Sequence, residues 1–362
     1  MRSIRKGNEI ESRHSRTVIT AAVALVVLAV VGVVVAVTSS TSSAPRRVST
    51  PPVSVADNPS AIRPITVVGD RIVRDGQPWW FLGYNSFTWS GNCGTADERM
   101  TTAEVDAWFG SMRNDGHGAV RLFFQPGWNL QRLDAAVASA KRHGIYVTVT
   151  LDDALGECGG SKKNASWFAD DQQRNTYRAH LTRVVQRYRG EPTIAWFEYL
   201  NEPNDAEGAL RPFYDEMGAV ARQIDPSRLF ASGTIAPYAT GGDDQFREIT
   251  ASPGVDIASL HEYDEEEVAS NHLDEVVSNS AGKPVLVGEF GITAGDGCDV
   301  DFDTRAQRIR AKAQAYIGAG LAGALAWSWQ PGDDDCEYEN LDADDASQEV
   351  LRDFRPNPAP RG

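Results

Sequence analysis

The chain has 362 residues, 41% of them hydrophobic and 23% charged, with a formal net charge of −15. That composition excludes wholesale disorder and allows one large barrel-type domain or two smaller ones. Residues 1–17 hold five Lys/Arg against two Glu, and 38–60 hold two Arg against one Asp, so 61–362 carries −19; a surface that negative argues against nucleic acid and fits a neutral partner.

The first element is Val18 to Val37, twenty residues without a charge. At about 1.5 Å per helical residue it is long enough to cross roughly 30 Å of hydrocarbon. Arg2, Arg5, Lys6, Arg13 and Arg16 precede it and place a basic N-terminus, residues 1–17, in the cytoplasm. The reading is a transmembrane signal anchor at 18–37. The alternative is a cleaved signal peptide, whose apolar core is usually only about 7–15 residues and ends in an A-x-A-like site that is not evident here. Either way the rest is exported, tethered outside the cell membrane or secreted. Residues 38–60, with ten Ser/Thr and four Pro, form an extended linker.

From Ile65 to Trp80, short β-branched runs are broken by Gly69-Asp70 and Asp75-Gly76, the residues of tight turns, and predict a small β-hairpin. Eight apolar runs follow: Phe81–Phe87, Ala119–Phe124, Ile145–Leu151, Ile194–Leu200, Leu229–Ser232, Ile257–Tyr263, Pro284–Phe290 and Gly323–Gln330. Between most of them lies an amphipathic helix. Leu130, Leu133, Val137 and Ala140 share one face ahead of Gly144; Tyr177, Leu181, Val184 and Tyr188 share another ahead of Gly190; Leu210, Phe213, Met217, Val220 and Ile224 share a third. Only Pro237 to Pro253 is weak, with room for a short helix. Eight strands alternating with helices predict an α/β fold, a (β/α)8 TIM barrel over 61–362, with a doubly wound open sheet as the alternative.

Cys93, Cys158, Cys298 and Cys336 all fall in this exported part, and the loop order of such a barrel makes Cys298–Cys336 the sterically easy pair, leaving Cys93 with Cys158. With no C-x-x-C or H-E-x-x-H pattern, neither metal nor organic cofactor is implied.

Barrels of this kind work at the C-terminal ends of their strands. Those ends deliver Asn85 and Trp89, Arg121, Asn201-Glu202, His261-Glu262-Tyr263, Glu289, and Trp327 with Trp329. Two carboxyls, an Arg, a His, a Tyr and aromatic platforms suit cleavage of a glycosidic bond, in which one carboxyl protonates the leaving oxygen and the other attacks or stabilises the anomeric carbon. Trp128 and Trp167, near top-side loops, are further candidates for stacking on sugars; Trp79, Trp80, Trp108 and Trp196 are expected in the core.

The ordered set of Arg121, N-E-P at 201–203, H-E-Y at 261–263, G-E-F-G at 288–291 and A-W-S-W at 326–329 resembles glycoside hydrolase family 5, the cellulase and β-mannanase type of retaining barrel glycosidase. The resemblance implies Glu202 as acid/base and Glu289 as nucleophile. It implies Asn201 on the sugar 2-hydroxyl, Arg121 and Tyr263 orienting the nucleophile, His261 lining the same subsite and Trp327 beneath the cleaved sugar. Asn85, Trp89 and Trp329 are further expected substrate contacts. Asp152-Asp153 stands where many cellulases place a sugar-contacting His, which leaves the glycan open. The expectation is a retaining hydrolase of a β-linked polysaccharide, mannan or glucan type, working as a monomer. A polysaccharide-binding barrel without activity and a transglycosylase with the same residues are the alternatives.

Overall fold

The computed structural model describes residues 62–87, 89, 100–115, 118–157, 160–204, 207–264, 270–329, 336–338, 341 and 345–354. The expected span at 18–37, the linker, Cys93 and Cys158 lie outside the described residues. Among the described residues no helix is long and apolar enough to cross a membrane.

The chain opens on three short antiparallel strands, β1 (Thr66–Val68), β2 (Arg71–Arg74) and β3 (Gln77–Pro78). The sequence predicts a hairpin here; the second turn adds a third strand. Asp75 and Gly76 in that turn both have positive φ, 54° and 76°, which matches the right-handed twist of the flanking strands.

The barrel strands are β4 (Leu82–Ser86), β5 (Ala119–Phe123), β6 (Tyr146–Thr150), β7 (Ile194–Glu198), β8 (Phe230–Ala231), β9 (Ala258–Glu262), β10 (Val285–Phe290) and β11 (Gly323–Ala326). They pair in parallel in the order β8-β7-β6-β5-β4-β11-β10-β9. A parallel bridge from Ala231 to Ile257, backed by Ser232 N–H to Ile257 O at 3.0 Å, joins the two ends and closes the ring. All eight predicted runs become strands, every residue of each buried, because a parallel sheet covered on both faces leaves no polar side. The open-sheet alternative is thereby corrected.

Around the ring stand α1 (Thr102–Asp115), α2 (Leu130–His143), α3 (Ala165–Ala169), α4 (Asp171–Arg187), α5 (Leu210–Ile224), α6 (Asp243–Thr250), α7 (Ser270–Ser278), α8 (Phe302–Gly318) and α9 (Ser347–Asp353). Helix α2 shows how sequence sets the bounds: Asn129 caps its N-terminus by accepting from Gln131 N–H, and Gly144 ends it in the left-handed region with its N–H on the last carbonyls. Its face of Leu133, Ala136, Val137 and Ala140 is buried against the strands. The weak stretch after β8 holds a 3-10 turn and the eight-residue α6.

The initial sheet closes the barrel floor. Ile65, Ile72, Trp79 and Phe81 pack with Tyr146, Trp196, Leu286 and Leu325 from the lower barrel, and Trp79 stacks on Phe81 at 4.4 Å. Apolar side chains thus seal one end of the ring, and polar side chains gather at the other.

Candidate active site

The polar end is organised by Arg121. Strand register sets Asn85, Arg121 and Thr148 side by side on β4, β5 and β6, and the Arg121 side chain is wholly buried inside the ring. A guanidinium has five N–H donors in a fixed fork, and five bonds are made here. Nε and Nη2 donate to Glu198 Oε1 at 3.0 and 2.5 Å, Nη1 to Asn85 Oδ1 at 2.9 Å and Glu289 Oε1 at 2.6 Å, and Nη2 also to Asn201 Oδ1 at 2.8 Å. The two neighbouring carboxylates raise its already high pKa further, against the opposing effect of burial. Thr150 adds a donor to Glu198 at 2.9 Å. Arg121 therefore ties β4, β7 and β10 together, at once a structural ion-pair partner of Glu198 and a holder of Glu289.

Glu289, near the end of β10, is held on both oxygens, since Tyr263 O–H donates to Oε2 at 2.7 Å. Burial first, and then the charge of Glu289, push the Tyr263 phenol far above its ordinary value, so it stays a donor. His261 Nδ1 lies 2.8 Å from Glu202 Oε1 and 3.5 Å from Glu289 Oε2. Its Nε2 is buried with no hydrogen-bond partner among the described residues. That asymmetry keeps a proton on Nδ1, facing the carboxylates. Gly288 makes room for the ring: a Cβ there would lie 3.0 Å from Nε2.

Glu202 follows Asn201, whose N–H donates to Asp152 O at 2.8 Å and whose side-chain amide donates to Asp153 Oδ1 at 3.2 Å. The chain then turns sharply. Glu202 has φ of 49°, a left-handed conformation uncommon outside Gly, fixed by its N–H on Gly233 O at 3.0 Å. Burial pushes the Glu202 carboxyl up, but the hydrogen bond and charge of His261, with the charge of Arg121, outweigh it and hold the group below its usual value.

Oxygen and nitrogen atoms of Glu202, His261 and Glu289 lie within 4.8 Å of one another. Such a trio has the donor types of a metal centre, but the Arg121 cation sits against Glu289, and Arg121 and Tyr263 already donate to both its oxygens. The set suits proton transfer and nucleophilic attack better than cation binding.

Trp327 walls the site at the end of β11, stacked on Phe87 at 5.5 Å and 11° and edge-on to Phe123 at 6.0 Å. Three expected substrate contacts are placed elsewhere. Trp89 is 1% exposed, with its indole N–H on Phe123 O; Trp329 is 4% exposed and packs edge-on against Tyr84. Asn85 is buried below the mouth, bonded to Arg121, Gly288 O and Leu325 O, and acts on the site through Arg121. Thr150 is a member of the network that the sequence reading missed, and Asp153, noted there only as a departure from the family pattern, is another; both fall at the end of the third barrel strand, in register with Glu198 and Asn201.

With this geometry in view, the family model for cellulase, glycosyl hydrolase family 5, matches residues 107–333, well over half the chain. The chain belongs to glycosyl hydrolase family 5. Among curated relatives of this family 5 chain, mannan endo-1,4-beta-mannosidase 8 of Oryza sativa subsp. japonica is 28% identical over 223 residues, covering 46% of this chain and 60% of that protein. Mannan endo-1,4-beta-mannosidase 2 of the same plant is 27% identical over 340 residues, covering 72% and 75%. The chain spans 60% and 48% of the lengths of the first two curated relatives it matches. The solved endo-1,4-beta-mannanase of Rhizomucor miehei superposes with a TM-score of 0.66 at 17% identity, over 80% of this chain and 97% of that one, which shows the shared barrel fold. Cys298 and Cys336 form the expected disulfide between the two last top loops, with Cα atoms 5.1 Å apart.

Proposed function

We propose that this family 5 barrel is a retaining endo-β-mannanase that cleaves β-1,4-linked mannan outside the cell by double displacement. The observation that carries the mechanism is the approach of Glu202 and Glu289 to within 4.8 Å at the facing atoms. Retaining pairs stand about 5–5.5 Å apart, whereas inverting pairs leave roughly 6.5–9.5 Å for a water. The substrate class rests on the mannosidase relatives.

In the first step a Glu289 carboxylate oxygen bonds to the anomeric carbon as the bond to the leaving oxygen breaks, and the Glu202 proton goes to that oxygen. In the second, Glu202, now ionised, takes a proton from water, whose oxygen displaces Glu289. Covalent attachment removes the negative charge of Glu289, and the pull of His261 and Arg121 that lowers the Glu202 pKa favours the base form this step needs. Asn201, oriented by Arg121 and Asp153, presents its amide to the sugar 2-hydroxyl, and Trp327 supports the ring above the cut.

The disulfide fits an oxidising compartment. The segment 18–37 would anchor the chain, with 38–60 as tether and 61–362 as the catalytic domain. Full-length protein incubated with β-1,4-mannan, β-glucan and xylan tests the reading. Internal cleavage of mannan with a β-configured first product by NMR is the expected result. An α-configured first product overturns double displacement, and cleavage of glucan but not mannan overturns the substrate. Mass spectrometry of the products separates hydrolysis from transglycosylation by the absence of chains longer than the substrate.

A further inference from the structure

A second cavity, of about 210 Å3, opens between the loop after β5, the loop after β6 and the N-terminal half of α4. It shares no residue with the Glu202–His261–Glu289 cluster. Yet it adjoins that cluster through the backbone, since Asn201 N–H bonds to the carbonyl of Asp152, one of its lining residues.

Three observations define what it can take. Its charges are internally matched: Lys163 pairs with Asp152 at 3.0 Å and donates to Asp153 O and Ser161 O, which uses all three ammonium protons. No net charge is left to select an ion. The half-buried Trp128 presents an aromatic wall, while the Trp167 ring is covered by the Lys163 ammonium at 5.2 Å. Gln125 lines the cavity, is only 6% exposed, and its side-chain amide makes no hydrogen bond among the described residues. The amide atoms are not closed off from the cavity, so a ligand hydroxyl can take up their donor and acceptor in place of water.

We propose that this cavity is a side pocket for a single neutral pyranose, with sugar hydroxyls on the Gln125 amide and a C–H face of the ring against Trp128. The amide supplies a donor and an acceptor together, which adjacent hydroxyls match, and the matched Asp152–Lys163 pair gives no preference for a charged sugar. Its volume falls below the roughly 300–1,000 Å3 of sites for larger ligands, so it holds one ring and not a chain. The sugar is either a single-unit branch on a glycan lying in the catalytic mouth or a free monosaccharide. The inference rests on the glycan reading above only for the choice of sugars.

The test uses full-length Glu289→Ala protein labelled with 5-fluorotryptophan, so that no substrate turns over and Trp128 and Trp327 report separately by fluorine NMR, assigned by Trp→Phe changes. Titration with methyl α-galactoside and methyl β-mannoside should shift the Trp128 resonance saturably. The further change Gln125→Leu should weaken that binding about tenfold, as expected for a lost hydrogen-bonding pair, with the response of Trp327 to linear mannotriose unchanged. If a branched manno-oligosaccharide also loses affinity in Gln125→Leu while the linear one does not, the pocket reads a branch. If only the methyl glycosides lose affinity, it reads a free sugar. A silent Trp128 with every glycoside, or equal affinity in Gln125→Leu and in the gentler Gln125→Asn, overturns the proposal. A Trp128 response without any Trp327 response to mannotriose would leave the pocket standing and remove the mannan reading of the mouth instead.

Discussion

Tyr263 donates its hydroxyl proton to Glu289 Oε2 at 2.7 Å, on the oxygen opposite the one Arg121 holds at 2.6 Å. The carboxylate is thus pinned by two donors from different parts of the ring, a neutral one that burial keeps protonated and a cationic one. If Glu289 is the nucleophile, as proposed, it is fixed in orientation before any sugar arrives, and the position of its attacking lone pair is set by β5 and the segment after β9.

Replacing Tyr263 with Phe removes one hydrogen bond to a charged group and little volume. A bond of that kind contributes about 1.5–3 kcal/mol, so kcat/KM should fall roughly 10- to 100-fold on the proposed mannan substrate with the melting temperature lowered by a few degrees at most. Steady-state kinetics beside a thermal melt check this; activity within twofold of the parent would show that Arg121 alone orients Glu289.

Arg121 should show the opposite balance. Arg121→Met leaves Glu198 and Glu289 buried without their cation, a change that costs about 3–5 kcal/mol. Arg121→Lys keeps the charge but cannot make five bonds to four acceptor atoms from one ammonium, and should recover only part of the loss. Denaturant unfolding of the three proteins orders them; a Met variant as stable as the parent would mean that the carboxylates take up protons without difficulty.

The Cys298–Cys336 disulfide bears on the site through Tyr338, whose ring meets Tyr263 edge-on at 5.3 Å, and through the bridge between Ala294 and Glu337. A crosslink closing a loop of sequence separation 38 contributes about 2–4 kcal/mol in the usual case. Paired Cys→Ser changes should therefore lower the unfolding free energy by that order and also depress kcat, because the wall behind Tyr263 loosens. Loss of stability with kcat intact would confine the disulfide to a structural role.

The strands were legible because each is buried on both faces and reads as an unbroken apolar run; even β8, only two residues long, lies inside its predicted window. Of the charged exceptions in those runs, Arg121, Glu198 and Glu289 meet inside the ring, whereas Glu262 pairs with Lys312 on α8. What sequence could not tell was height along a strand and which way a ring turns. Asn85 belongs to the same layer as Arg121, below any sugar, although it stands near a strand end. Trp89 and Trp329 follow strand ends too, yet their rings fold back into the core, a choice made by the Trp89 indole N–H on Phe123 O and the packing of Trp329 on Tyr84 that no spacing reveals. Thr150 escaped notice because a Thr at a strand end is ordinary until the register with Glu198 is known, and Asp153, noticed only as a departure from the family pattern, gains its role through the register with Asn201.

The pH dependence follows from the same contacts. In the proposed role of general acid, Glu202 must carry a proton, and against the upward push of burial, His261 and Arg121 hold its pKa below the ordinary value. The protonated form is therefore lost as pH rises through an unusually low value, and the high-pH limb of kcat/KM should fall on the acidic side. His261→Leu removes the hydrogen bond and charge that do most of the lowering while burial continues to raise the pKa, so this limb should move to higher pH even if the maximum rate drops. Profiles of kcat/KM for the parent and His261→Leu, with the values assigned to the Glu202–Glu289 pair as a unit, measure the displacement. A limb that stays in place or moves to lower pH would mean that His261 does not set the proton affinity of Glu202.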